Sequence, residues 1–166
     1  MFDIKVFENL STESKLENML VMLEGLVQGE DLPMTKLCNA SALINALVDR
    51  INWCGFYLVK NNTLVLGPFQ GMPACTAIEI GKGVCGTAAL KGETLLIKDV
   101  HNFEGHIACD SASNSEIVIP IVKDDKIIGV LDLDSNEFNR FTELEQQYLE
   151  SSIEILNKYI NWENVI

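Results

Sequence analysis

Three cysteines, Cys75, Cys85 and Cys109, fall in a stretch rich in glycine and small residues, and carboxylates follow at Glu116, Asp132 and Asp134. A thiolate is a strong nucleophile, a second thiol can resolve it once it is oxidised, and a carboxylic acid can donate a proton in the same pocket. Together these residue types point to redox catalysis. Cys109 lies in Gly105-His-Ile-Ala-Cys-Asp-Ser-Ala-Ser-Asn-Ser115, whose small polar residues argue against deep burial. A free thiol with a pKa of ~8.5 is only a few per cent ionised at neutral pH, so a catalytic one needs local help. His101 and His106 are near enough in sequence to give it, although His101 reads as a surface residue.

The other cysteines carry less context. Gly81-Lys-Gly-Val-Cys-Gly86 matches G-x-G-x-x-G literally. The dinucleotide reading of that motif requires a buried parallel strand and a βαβ unit, and here hairpins flank it. A tight turn into a helix N-terminus explains it better, and would put Cys85 in the first turn, where the helix dipole favours a thiolate. Cys38, on a helical segment, and Cys54, on the strand face opposite Trp53, read as small packing residues. No cysteine pair has the spacing of a structural zinc site, so no metal is expected.

Leu131-Asp-Leu-Asp134 alternates, which places Asp132 and Asp134 on one strand face and the leucines on the other. Two carboxylates on one face repel, and one of them then holds its proton toward neutral pH. Glu116 opens the neighbouring hairpin strand and can point into the same space. Such a cluster suits an ammonium group and a proton donor alike. Trp53 and Tyr57, four residues apart on a strand, share a face as core or as the wall of an apolar slot.

These side chains need elements to hold them. Leu16, Met19, Leu20, Leu23, Leu26 and Val27 have helical spacing, with Ser14 and Glu17 as a capping box and Gly29 as the stop. A second helix is predicted from Pro33 to Arg50. Trp53–Lys60, a turn through Asn61 and Asn62, and Leu64–Leu66 form a hairpin. A short strand at Ala77–Ile80, a helix around Val84–Lys91 and a strand at Thr94–Lys98 follow. Asp99–Ser115 is the longest irregular stretch, and such loops are usually functional. A second hairpin pairs Glu116–Val122 with Ile127–Asp134, and Thr142 with Glu145 caps a last helix carrying Leu149, Ile153, Leu156 and Ile160. The expected fold is α+β, one domain over residues 1–166, with a mostly antiparallel central sheet covered by helices.

The bulk composition narrows the function. The chain has 166 residues and a formal charge of −12, with no basic run, which disfavours nucleic acid and anionic membrane surfaces. No apolar run approaches the ~18 residues that span a bilayer, and the N-terminus does not read as a signal peptide. Cytoplasmic, reduced thiols are therefore expected.

Taken together, the residues resemble the free methionine-(R)-sulfoxide reductases, a family built on the GAF fold. The similar stretches include Asn52-Trp-Cys-Gly-Phe-Tyr57, Pro73-Ala-Cys75, Gly83-Val-Cys-Gly-Thr-Ala88, Gly105-His-Ile-Ala-Cys-Asp-Ser-Ala-Ser113 and Gly129-Val-Leu-Asp-Leu-Asp-Ser135. The resemblance implies that Cys109 is the nucleophile and that Cys85 and Cys75 are resolving thiols. It implies that Glu116, Asp132 and Asp134 bind substrate, with Asp134 and Glu116 on the proton-donating side, and that Trp53 and Tyr57 form an aromatic wall. The substrate would be free methionine-R-sulfoxide. A thioredoxin-like dithiol, fed by NADPH, would reset the disulfide with no bound cofactor. A homodimer is implied too. Cys54 departs from the family pattern, which has a small residue there, and brings the prospect of an off-pathway disulfide. The alternatives are a non-catalytic GAF small-molecule sensor, disfavoured because no output domain is evident, and a thiol peroxidase.

Overall fold

In the computed structural model, which describes residues 3–29, 32–105, 107 and 112–165, the first helix starts earlier than its sequence signal. Helix α1 spans Thr12–Gln28, and its cap is Ser11, whose side chain accepts a hydrogen bond from the Ser14 N–H. The expected box of Ser14 and Glu17 is thus displaced by one turn, because a serine three residues upstream already satisfies that amide. Leu16, Met19, Leu23 and Val27 form its buried stripe. Helix α2 runs Pro33–Leu47, three residues short of the expected end at Arg50. Val48 leaves the helix in an extended conformation and Arg50 takes a positive φ of 56°, which redirects the chain into the sheet.

Six strands follow the expected order: β1 Trp53–Lys60, β2 Thr63–Gln70, β3 Ala77–Glu79, β4 Leu95–Ile97, β5 Ser115–Lys123 and β6 Lys126–Ser135. They make one antiparallel sheet in the order β3-β2-β1-β6-β5-β4. Both long hairpins turn through two residues with positive φ, Asn61 and Asn62 in one, Asp124 and Asp125 in the other. That geometry matches the twist of the flanking strands, and short polar side chains tolerate it. Helix α3 (Gly83–Lys91) connects β3 to β4, and α4 (Glu143–Tyr159) opens with the expected box, Thr142 and Glu145 each bonding the other's backbone.

Strand alternation divides the interior in two. Cys54, Phe56 and Leu58 of β1, Ile117, Ile119 and Ile121 of β5, and Leu131 and Leu133 of β6 face α1, α2 and α4. Trp53, Tyr57, Val118 and Val130 face the other way, toward α3. A buried ion pair ties the chain after α2 to the start of α4. Arg140 meets Glu145 at 2.5 Å, both side chains 3% or less exposed, while its guanidinium also donates to the Asp49 carbonyl. Its partners are set by the fold and carry no local sequence signal. Among the described residues, no helix is long and apolar enough to cross a membrane.

Candidate active site

The α3 side of the sheet carries the chemistry. Trp53 and Tyr57 alternate onto it from β1 and are 2% and 1% exposed. Their rings stack with centroids 5.9 Å apart, and Phe69 of β2 stacks on Trp53 at 5.5 Å, a third wall residue that the sequence reading did not single out. Gly55 makes the stack possible, because a Cβ there would meet the Trp53 ring at 2.5 Å. Each polar tip has a task. Trp53 Nε1 donates to the Met72 carbonyl at 3.1 Å and the Tyr57 hydroxyl to the Cys75 carbonyl at 3.0 Å. The wall therefore holds the segment that carries Cys75.

The carboxylates line up across strands. Asp134 lies opposite Trp53 on one side and Glu116 on the other, and Asp132 opposite Gly55 and Val118. Glu116 and Asp132 are each only 6% exposed, whereas Asp134 is half-buried. Cys85 comes down from α3, its Sγ 3.8 Å from Glu116 Oε1. One donor atom from each of Cys85, Glu116 and Asp132 lies within 4.8 Å of the others.

Burial, followed by the charges of Asp132 and Asp134, holds Glu116 well above the usual carboxylate range. Burial pushes Asp132 up to about 7, against the opposing hydrogen bonds from Cys85 and Glu116. Both shifts run toward the protonated form. The same environment corrects the expectation for Cys85. It does sit in the first turn of α3, yet burial and the neighbouring carboxylates raise its thiol far above the ordinary value, overriding the helix dipole. The glycines around it serve backbone packing, since a Cβ on Gly86 would collide with the Glu79 carbonyl and Gly83 has a φ of 60°. The strand before them is short and antiparallel, so no dinucleotide-binding unit exists here.

The remaining cysteines separate cleanly. Cys75 is disulfide-bonded, while Cys38, Cys54 and Cys85 are free. Cys54 is buried among the α1, α2 and α4 layer, as expected for packing, and the sheet separates it from Cys75 and Cys85, which removes the prospect of an off-pathway disulfide with those two. Cys38 is exposed on α2, so its expected packing role is wrong: it falls just outside the stripe of Leu37, Ala40, Ser41 and Ile44. His101 is on the surface, as read, with Nε2 3.0 Å from Asn114 Oδ1. Cys109 and His106 lie outside the described residues. Asn114 bonds that side chain, the Ser135 and Asn136 carbonyls and the Val100 amide, and so ties both flanks of their segment to the sheet edge.

A raised Asp132 makes stability fall with pH. Its folded-state value lies above the ordinary carboxylate one, so the contribution is fully present below about pH 4 and is lost as pH rises through about 7. Asp132→Asn cannot lose it. In thermal melts, the Tm of the variant relative to wild type should climb between pH 4 and pH 8. A flat difference would show that this carboxyl is not held protonated.

An antiparallel sheet carries a thiol, an aromatic wall and buried acids on one face, and residues 40–156 match the family model described as GAF domain. The chain is 52% identical over 135 residues to the free methionine-R-sulfoxide reductase of Escherichia coli, covering 81% of this chain and 82% of that one. It is 45% identical to the free methionine-R-sulfoxide reductase of Saccharomyces cerevisiae, covering 90% and 88%. The structure of the Neisseria meningitidis free methionine-R-sulfoxide reductase in complex with its substrate superposes with a TM-score of 0.89 at 40% identity, covering 96% of this chain and 95% of that one. The chain belongs to the free methionine-R-sulfoxide reductase family of GAF-domain proteins.

Proposed function

We propose that the protein reduces free L-methionine-(R)-sulfoxide to methionine, and that the pocket above is its active site. The observation that carries this reading is the buried acid pair Glu116 and Asp132, on the same sheet face as an aromatic wall whose Tyr57 holds the Cys75 segment. Sulfoxide sulfur becomes electrophilic when its oxygen is protonated, so the acid must lie on that oxygen. Glu116, buried and with Oε1 3.8 Å from Cys85 Sγ, is assigned that proton. Asp134, half-buried beside Trp53, is assigned the substrate ammonium, and the aromatic wall the methyl thioether. A peptide-bound sulfoxide lacks the ammonium charge, which accounts for preference for the free amino acid.

The Cys109 thiolate then attacks sulfur as the oxygen takes the Glu116 proton, and the hydroxyl passes from the methionine sulfur to the Cys109 sulfur as the S–S bond breaks, leaving methionine and a Cys109 sulfenic acid. A second thiol displaces water from it and forms a disulfide. Cys75 is assigned this step over Cys85, because Cys75 is already disulfide-bonded whereas Cys85 is a buried thiol with its proton held. A thioredoxin-like dithiol, recharged through NADPH, returns the pair to the reduced state in the cytoplasm, and a homodimer is the proposed assembly.

The test is NADPH consumption with thioredoxin and thioredoxin reductase on three substrates: free methionine-R-sulfoxide, its S epimer and a peptide-bound sulfoxide. Turnover on the free R form alone is expected. No turnover on any of them with reduced thiols would replace this reading with a ligand-sensing GAF domain, and turnover on hydrogen peroxide with no epimer preference would make it a peroxidase.

A further inference from the structure

Cys85 is left without a step in that mechanism, although it is a free thiol on the pocket floor. We propose that Cys85, Glu116 and Asp132 form a binding site for a soft divalent cation of the zinc class, which closes the pocket floor when occupied.

The geometry carries this in three parts. The donor set is one sulfur and two carboxylate oxygens, all within 4.8 Å of one another. A tetrahedral zinc, with Zn–S of about 2.3 Å and Zn–O of about 2.0–2.2 Å, needs a sulfur-to-oxygen edge of about 3.5 Å. Cys85 Sγ and Glu116 Oε1 stand 3.8 Å apart, a few tenths of an ångström from that edge. The second part is one buried acceptor oxygen. Asp132 is 6% exposed, and its Oδ1 is buried with no hydrogen-bond partner among the described residues. Such an atom is costly unless something arriving from outside satisfies it. The third part is ligand type. An ammonium group would use the two carboxylates and gain nothing from a sulfur, whereas zinc, cobalt and cadmium favour thiolate, and magnesium and calcium do not.

The three ligands come from α3, β5 and β6, 31 residues apart between Cys85 and Glu116. No short spacing motif encodes them, which is why the cysteine spacing predicts no site. Three protein ligands leave a fourth position open to water, as in exchangeable rather than structural sites. Binding forms one metal–sulfur and two metal–oxygen bonds and releases to solvent the protons that these groups carry. The metal binding stands without the reductase reading; competition of an occupied site with methionine-R-sulfoxide, expected because Glu116 is assigned to both, rests on it.

Cobalt(II) titrated into the reduced protein, freed of added thiol, tests the site. Expected are a thiolate-to-cobalt charge-transfer band in the near ultraviolet and tetrahedral bands in the visible, saturating at about one equivalent and displaced by zinc. The bands should vanish in Cys85→Ser and persist in the Cys75→Ser/Cys109→Ser double variant. Glu116→Gln should weaken binding by about tenfold or more, with folding checked by circular dichroism, and serves if Cys85→Ser does not fold. No charge-transfer band in folded wild type, or a band that survives in Cys85→Ser or disappears with Cys75 and Cys109, overturns the site. The reductase assay run in EDTA reads the catalytic function separately, so turnover without a cobalt band would sink the metal site alone. A cobalt band with no rise in the apparent KM for methionine-R-sulfoxide would remove the competition.

Discussion

Cys109→Ser is expected to abolish turnover of free methionine-R-sulfoxide completely, in the thioredoxin-coupled assay and in a single turnover without reductant. A serine hydroxyl is not ionised near neutral pH and cannot accept oxygen to become a sulfenic acid, so no second route exists through the same pocket. Cys75→Ser separates attack from resolution. With the nucleophile intact it should release one methionine per protein and then stop, because the remaining thiol near the acids, Cys85, is buried and keeps its proton. Quantifying methionine by mass spectrometry after mixing with excess substrate reads both variants. A full stoichiometric burst from Cys109→Ser would move the nucleophile elsewhere, and multiple turnovers from Cys75→Ser would return the resolving role to Cys85.

Glu116→Gln carries the second large effect. The amide keeps the shape and can still donate a weak hydrogen bond, but it has no proton to transfer. A fall in kcat of about 10²–10⁴ is expected, the range for a lost general acid. The pH profile discriminates the cause. Wild-type rate should decline on the alkaline side as the buried carboxyl of Glu116, held above its ordinary range, gives up its proton. In the variant that alkaline limb should disappear. A loss confined to KM, with the limb retained, would make Glu116 a binding group and pass the acid role to Asp132 or Asp134.

Much of this site could be read from one-dimensional patterns because the pattern is the structure. Period-two alternation alone places Asp132 and Asp134 on one face and Leu131 and Leu133 on the other, and the same rule separates Trp53 and Tyr57 from Cys54. The Thr142 and Glu145 box marks α4 because capping is local. The failures have the opposite character. Cys38 looked like packing because helical periodicity defines a stripe but not its edge, and the exposed position lies one residue beyond Leu37. Cys85 looked like an activated thiol because the dipole of its own helix is legible, while the carboxylates that oppose it arrive from two distant strands. Phe69 and the pair of Arg140 with Glu145 matter through neighbours that only the assembled sheet supplies.

The alternation of β6 has a further consequence for folding fidelity. Sliding that strand by one residue against β1 and β5 would turn Leu131 and Leu133 away from the helices and thrust Asp132 and Asp134 among the side chains of α1, α2 and α4, whose buried stripes are apolar apart from Lys36, Ser41, Glu145 and Ser152. The buried cations near those helices are already engaged, Lys36 with the Tyr159 carbonyl and Arg140 with Glu145 and the Asp49 carbonyl. The acids required for chemistry thereby act as an index pin for the central strand, making the misaligned sheet unaffordable before any substrate is present.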